Sequence, residues 1–449
     1  MRSFLPLLPL ALLCAACDPP SPAAPSTSAT PSAPAPSASP SPVGPATPSD
    51  TAVTPPTPAL PPAAGELATL SAGNNALAFD LYRKTRTQPG NLALSPISIS
   101  SALTMTWGGA RGETAMEMQR VLHVQGKAEE AMDISGRLLA SLGASDGKVT
   151  LRVANRLFGD KAYTFDPAYL ERTRTVFGAP LEGLDFKHAA DASRVHINDW
   201  VASQTQKRIT DLLPAGSLDA ETRLVLTNAI YFLGDWQSPF ENNATAPAAF
   251  HVTPASSKQV PTMNQVGHFR FAATDGVKLL EMPYVGGELA MTLVLPDAPA
   301  GLEAVEQRLS PEVVTKWSAA LEPQRVIVAL PRFEIDPAAS LSLGGTLQAL
   351  GMRLAFDPDK ADFTGIANPP SPADRLYISK VFHKAFVKLD EKGTEAAAAT
   401  AVVMARAGSA APSKPPAEWR GDHPFLFLLR HVKSGAILFM GRVSDPALK

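Results

Sequence analysis

Few residues of this 449-residue chain stand in a spacing that could do chemistry. Its two cysteines, Cys14 and Cys17, both fall within the first twenty residues, so the rest of the chain has no disulfide and no thiolate metal site. The eight histidines are scattered, with no pair at ligand spacing on one predicted element, so neither a metal nor a cofactor is expected. Ser145-Asp-Gly-Lys148 has the Ser-x-x-Lys spelling of penicillin-recognising enzymes. It sits in a glycine-containing turn, however, and no Lys-Thr-Gly follows. A glycine-rich phosphate loop, a His-Glu-x-x-His pair and a Gly-x-Ser-x-Gly elbow are absent. A hydrolase is therefore left without a nucleophile and its base. Forty basic residues balance forty-two acidic ones, no basic cluster is prominent, and nucleic acid is not an expected partner.

The informative stretch does no bond chemistry at all. Glu391-Lys-Gly-Thr-Glu-Ala-Ala-Ala-Ala-Thr400 lies between an extended segment, Leu376 to Leu389, and two buried strands, Phe425 to Leu429 and Ala436 to Met440. Compact domains usually join elements in a few residues, and the connection here is far longer. Read as a strand, its side chains alternate between faces. One face receives Thr394, Ala396, Ala398, Thr400, Val402 and Met404; the other receives Glu395, Ala397, Ala399, Ala401 and Val403. Small side chains let such a strand enter between two others without overpacking. Gly393 supplies flexibility at the turn, and with no proline from Glu391 to Ala411 every N–H can join a ladder. The same residues favour a helix intrinsically, so a surface helix is the competing reading.

The surrounding elements suggest α+β. Asn75 to Lys84, the stretch after Pro96 from Ser98 to Trp107, and Ser193 to Ile209 read as helices. Thr114-Ala-Met-Glu117 spells a capping box opening a helix through Leu122. The last two thirds look like mostly antiparallel sheet, with strands at Val225 to Phe232, Met291 to Leu295 and Val326 to Leu330, and a short helix at Leu347 to Met352. No fixed repeat is present.

The N-terminus reads as targeting rather than structure. Arg2 and the apolar run Phe4 to Leu13 make an export signal over residues 1–17. Small residues before Cys17 resemble a bacterial lipoprotein box, with Cys17 the lipidated N-terminus and a membrane anchor; an ordinary secretory signal is the alternative. Residues 18–64, with 16 prolines in 47 residues, make a disordered tether. One large domain then runs from 65 to 449. The chain is expected to be exported, as a cell-envelope lipoprotein or an extracellular protein.

From residue 70 to 449 the sequence resembles the serpins, the serine protease inhibitor family. Asn91-Leu-Ala-Leu-Ser-Pro-Ile-Ser-Ile99 is similar to an early strand-to-helix motif, and Val225 to Trp236 with Pro239-Phe240 to a central strand and its turn. Val381 to Thr400 is similar to the strand and hinge entering the reactive loop; His423-Pro-Phe-Leu-Phe and Phe439-Met-Gly-Arg-Val443 resemble the closing strands. The resemblance implies about nine helices, three β-sheets and an exposed reactive centre loop. It also implies a suicide mechanism. A serine protease attacks a bait bond, and the freed loop segment inserts into the largest sheet, dragging the acyl-enzyme to the far pole.

By the same resemblance the hinge is Glu391, Gly393, Thr394, Glu395, Ala396, Ala397, Ala398 and Ala399. A polar gate under the inserting strand is Ser95, Ser98, Asn228 and His383, and Trp236 covers the sheet top. Counting sixteen residues on from Glu391 puts the bait bond at Ala407-Gly408, which suits an elastase-like or subtilisin-like enzyme. A one-residue shift exposes Arg406-Ala407 to a trypsin-like enzyme, and Met404 is a third candidate. Residues 408–422 look longer than usual for the family and contain Pro412, Pro415 and Pro416. A monomer is expected. The alternative is a serpin-shaped binding protein that is cleaved as an ordinary substrate.

Overall fold

The computed structural model describes residues 62–143, 149–394 and 415–448. Six helices occupy the first half: α1 (Ala64–Thr85), α2 (Pro96–Gly109), α3 (Gly112–Leu122), α4 (Ala128–Gly143), α5 (Pro167–Phe177) and α6 (Phe186–Gln204). Strands β1 (Leu92–Leu94), β2 (Val149–Asp160) and β3 (Leu181–Leu184) run between them. Then come β4 (Leu224–Asp235), β5 (Ala246–Thr253), β6 (Ser256–Thr274), β7 (Val277–Pro283) and β8 (Leu289–Pro296). They are followed by α7 (Leu302–Arg308), α8 (Pro311–Ala320), β9 (Glu322–Pro331) and β10 (Phe333–Ile335). The last part carries β11 (Leu341–Ser342), α9 (Gly344–Ala349), β12 (Phe382–His383), β13 (Val387–Leu389) and β14 (Gly393–Thr394). It closes with β15 (Ala417–Arg420), β16 (Phe425–His431) and β17 (Ile437–Val443). Among the described residues this gives nine α-helices and three sheets, the α+β serpin arrangement expected.

Several helices differ from their sequence reading for local reasons. Helix α1 begins eleven residues before Asn75, because Glu66 reaches back to accept the Ala63 N–H at 2.7 Å. Thr114 and Glu117 form no capping box: α3 starts at Gly112 after Arg111. The Thr114 hydroxyl instead accepts the Asp362 N–H at 3.0 Å, and Glu117 accepts the N–H groups of Arg353 and Leu354 at 2.7 Å each. A pattern that could cap a helix here ties it to a distant segment. Helix α6 starts at Phe186 rather than Ser193, capped by Asp185, whose carboxylate accepts the His188 N–H at 3.0 Å; it stops at Gln204, short of Ile209. The short helix expected at Leu347 to Met352 is α9, ending before Gly351, whose φ of +115° lies outside helical space.

Helix α2 is apolar on nearly every side, with eleven of its fourteen residues buried. Such a helix must be covered all round. It packs between β4 and β17, opened by Pro96 at a position whose missing N–H costs no hydrogen bond. Gly109, at its end, lets the segment at Ile366 approach, since a Cβ there would lie 2.0 Å from the Ile366 side chain. In the nine-stranded sheet the path is β1-β17-β16-β8-β7-β6-β9-β15, with β5 added to β6. Strands β16 and β17 are buried at every residue, as the apolar runs Phe425 to Leu429 and Ile437 to Met440 require, and the buried Arg430 and Arg442 are paired with Glu281 and Glu306. The six-stranded sheet has the order β10-β13-β14-β4-β2-β3, and β11 pairs with β12. Most pairs are antiparallel; β2 with β3 and β9 with β15 are parallel.

Candidate functional site

The six-stranded sheet carries the predicted hinge. Gly393 and Thr394, as β14, lie between β13 and β4: Leu389 pairs with Thr394, Thr394 with Gly234, and Gly393 with Asp235. The turn from β13 closes tightly, with the Asp390 N–H donating to the Gly393 carbonyl at 2.9 Å and the Lys392 N–H to the Asp390 carboxylate at 3.0 Å. Gly393 must be glycine for a packing reason beyond flexibility. A Cβ there would sit 1.8 Å from the Gly234 carbonyl oxygen.

Side chains from four distant segments hold this turn. The indole of Trp236 stacks on Tyr284, with centroids 4.5 Å apart. Its Nε1–H donates to the Asp390 carbonyl at 3.1 Å, and its backbone N–H donates to the Lys392 carbonyl at 2.6 Å. The Tyr284 and Thr394 hydroxyls share a buried hydrogen bond of 2.7 Å, and burial pushes the Tyr284 phenol well above its ordinary pKa. Thr394, the one residue of the alternating set that is described, is 3 % exposed. Glu391 is buried as well. Its carboxylate accepts from the Thr245 hydroxyl at 2.5 Å and from Arg332 Nε at 2.7 Å. Burial opposes its ionisation, yet Arg332 and Thr245 hold it below the usual carboxylate range.

Below this end the sheet is open. Among the described residues the edge of β4 facing β13 takes strand partners at Gly234 and Asp235, and none from Leu224 to Leu233. Leu224, Val225 and Leu226 are accordingly half-buried, unusual for apolar residues in the middle of a sheet. At the lower end His383, in β12, faces the start of α2. The Ser95 N–H donates to His383 Nε2 at 3.1 Å, and the Ser95 hydroxyl donates to the Leu438 carbonyl of β17 at 2.8 Å. Ser95 therefore does not cap α2 with its side chain; it joins helix, β12 and β17. Burial depresses the His383 pKa to about 4, so the ring is neutral, accepting at Nε2 and carrying its proton on Nδ1.

Of the predicted gate, Ser95 and His383 are in direct contact, and Ser98 is buried one turn along α2. Asn228 stands in β4 opposite Asn155; its side chain is outside the description. Hinge residues Glu395, Ala396, Ala397, Ala398 and Ala399, the bait candidates Arg406, Ala407 and Gly408, Ser145 to Lys148, and Cys17 lie outside the described residues. Sequence reasoning missed Tyr284, Arg332, Thr245 and Gly234, which reach the hinge only through the fold. Among the described residues no three His, Cys, Asp or Glu side chains converge as a metal site, and no helix is long and apolar enough to cross a membrane.

A family model for "Serpin (serine protease inhibitor)" matches residues 72–446. The chain belongs to the serpins. It is 39 % identical over 387 residues to the human leukocyte elastase inhibitor, covering 84 % of this chain and 99 % of that protein. The structure of uncleaved ovalbumin superposes with a TM-score of 0.74 at 31 % identity, covering 84 % of this chain and all of ovalbumin. That of Serpin48 from the insect Tenebrio molitor gives a TM-score of 0.73 at 32 % identity, covering 84 % and 98 %. The family groups this chain with protease inhibitors rather than with catalysts. One part of the sequence reading is corrected. The recognition of a bacterial, lipoprotein-like serpin is overturned, because the similarity runs to vertebrate and insect serpins.

Proposed function

We propose that this serpin inhibits a serine endopeptidase as a suicide substrate, by inserting its cleaved loop between β13 and β4. The observation that carries this reading is the register of the hinge. Gly393 and Thr394 already pair with both neighbours, directly above a β4 edge that has no described partner. A following strand needs only to continue that register. Each residue added then exchanges solvated backbone groups for ladder hydrogen bonds and covers the half-buried apolar edge, so insertion runs downhill. The chain itself breaks no bond in this scheme; the protease's serine does.

The target is an elastase-like enzyme, with subtilisin-like and trypsin-like enzymes next. The small residues of Ala407-Gly408 support it, as does similarity to a protein named for leukocyte elastase; Arg406-Ala407 supports the trypsin-like reading. The charged-then-apolar start Met1 to Leu13 supports export, and insertion of the chain's own strand requires only a monomer. Incubation with an elastase-like and a trypsin-like protease tests the proposal on a denaturing gel, with sequencing of the released C-terminal fragment. An SDS-stable covalent complex and a fragment starting at Gly408 are expected. Turnover into two fragments with the protease fully active refutes inhibition and leaves a serpin-fold binding protein.

A further inference from the structure

The link from β15 to β16 holds a buried histidine whose two ring nitrogens both face oxygen. His423 is 6 % exposed. Its Nε2 lies 2.8 Å from the Pro296 carbonyl oxygen at the end of β8, and its Nδ1 lies 2.6 Å from the Asp422 carboxylate. A carbonyl oxygen can only accept a hydrogen bond, so Nε2 carries a proton. An ionised carboxylate can only accept as well, so Nδ1 carries one too, and the ring is an imidazolium. Asp422 is ionised for its part. Its bond to His423 holds the carboxyl below the usual carboxylate range against the effect of burial, helped by the charges of His423 and of His251 in β5. Arg420 also acts on Asp422 and is paired with Glu418 at 3.1 Å, while Asp297, which follows Pro296, is exposed.

That ring sits where the far side of the loop is fastened. Strand β15 has four residues, ends its sheet, and ladders among the described residues to β9 alone. Trp419 adds to its hold, fully buried with its indole N–H donating to the Lys278 carbonyl at 3.2 Å. Below it the Asp422 carbonyl accepts the His251 N–H at 2.7 Å. Ala417 follows the bait candidate Gly408 by nine residues, so the foot of β15 sets the slack on that side. We propose that His423 is a positioning residue of the reactive loop: as an imidazolium it clamps the foot of β15 to the end of β8, and loss of its proton slackens the clamp. Neutral imidazole donates at one nitrogen only, so a deprotonated ring turns a lone pair toward Asp422 or toward Pro296. One bond is then replaced by repulsion, and β15 peels more readily from β9. A bait bond held at both ends is preorganised for attack, and one with a slack end is not. The clamp stands on the contacts above; its effect on protease capture rests on the inhibitory reading.

Long-range proton–nitrogen NMR of the full chain, labelled at the histidine ring nitrogens, tests the clamp directly. At pH 7 the ring whose signals move in Asp422→Asn should carry protons on both nitrogens; a neutral tautomer overturns the proposal. Hydrogen exchange of the 417–420 amides, corrected for intrinsic rates, should show opening roughly tenfold more frequent at pH 9 than at pH 6, as the loss of one charge-assisted bond requires. His423→Arg, a permanent cation with several donors, should keep opening slow at every pH, and His423→Gln should leave it fast throughout. Should neither variant fold, Asp422→Asn, which alters a side chain 51 % exposed, should flatten the profile instead. Opening that ignores pH in the parent, or that keeps the parent's pH profile in these variants, overturns the clamp. With an elastase-like protease, complex formation normalised to turnover of a small peptide should slow about tenfold over the same range in the parent and not in His423→Arg. The cleaved fraction should stay constant, because the inserting segment lies on the other side of the bait bond. A clamp seen by NMR and exchange with an unchanged capture rate overturns the positioning role. The same clamp in a chain that captures no protease refutes the inhibitory reading alone.

Discussion

At its upper end the slot between β13 and β4 is filled and its polar groups are paired, whereas at its lower end the start of β4 and the segment leading into β13 have no strand between them among the described residues. Above, Thr394 meets Tyr284, Trp236 clasps the turn, and Glu391 is ionised against Arg332. Below, Leu226 and Val381 both line a cavity of about 180 Å³, the Ser217 Oγ has no hydrogen-bond partner among the described residues, and the buried His383 is neutral. The two ends solve the burial of polar groups oppositely. One pairs a charge, and the other gives the charge up. A sheet arranged in this way is primed in direction: register is set where the loop enters, and the space to be closed lies ahead of it.

The strongest way to break this comparison is to put an unpaired charge into the filled end. Thr394→Arg places a guanidinium where a hydroxyl now bonds Tyr284, in a site 3 % exposed. Leaving a charge buried and unpaired costs about 3 kcal/mol or more, so trapping should fall by roughly 100-fold or beyond, with cleavage of the loop continuing. The ratio of SDS-stable complex to cleaved inhibitor measures it. A variant that traps as well as its parent removes Thr394 from the inward face.

Acid distinguishes the ends next. His383 has a folded pKa of about 4, below its ordinary value of about 6.5, so the unfolded chain binds its proton first. The stability tied to the neutral ring is complete above about pH 6.5 and is lost progressively down to about pH 4, for a total of about 3 kcal/mol. Glu391 follows the same sign in a lower pH range. Its depressed pKa contributes stability that is complete above the ordinary carboxylate value and is lost progressively as pH falls from that value through the lower folded one. The lower end should therefore loosen before the upper one. Denaturant unfolding from pH 4 to pH 7 checks this, with His383→Gln expected to flatten the slope. Equal slopes in parent and variant refute the assignment.

What was legible in the sequence was whatever lies in one continuous string. The strand from Val225 to Phe232, the helix after Pro96 and the closing strands could be read because their apolar patterns and flanking motifs are local. The polar clasp was not legible, since Tyr284 lies 110 residues from Thr394, and Arg332 lies 59 from Glu391. No spacing rule links such pairs. Local rules also misled where a distant partner competed for the same atoms: Thr114 and Glu117 had the right spelling for a cap, but Asp362, Arg353 and Leu354 claimed them. Gly393 was read as a flexible joint, while the closeness of Gly234 gives the need for glycine a steric cause that only the packed sheet reveals.

That steric cause supplies a finer cut. Gly393→Ala introduces a Cβ against the Gly234 carbonyl, so either β4 moves or the hinge leaves the slot. Overpacking of this kind costs about 1–3 kcal/mol. A lowered unfolding midpoint, together with new proteolytic sensitivity just after Asp390, is the expected result. An unchanged midpoint means that β14 is not seated as described.

The smallest effect isolates a single hydrogen bond. Tyr284→Phe keeps the ring that stacks on Trp236 and removes only the oxygen shared with Thr394. Thr394 is then left with a buried hydroxyl lacking this partner, and stability should fall by about 1 kcal/mol. Tyr284→Phe with Thr394→Val deletes both polar groups together and should recover part of that loss, because no donor or acceptor is then stranded. Neither change adds charge or bulk to the slot, so trapping of protease should persist in both. If the pair of changes proves additive, the two hydroxyls do not interact, and the filled end owes its order to the Trp236 and Glu391 contacts alone.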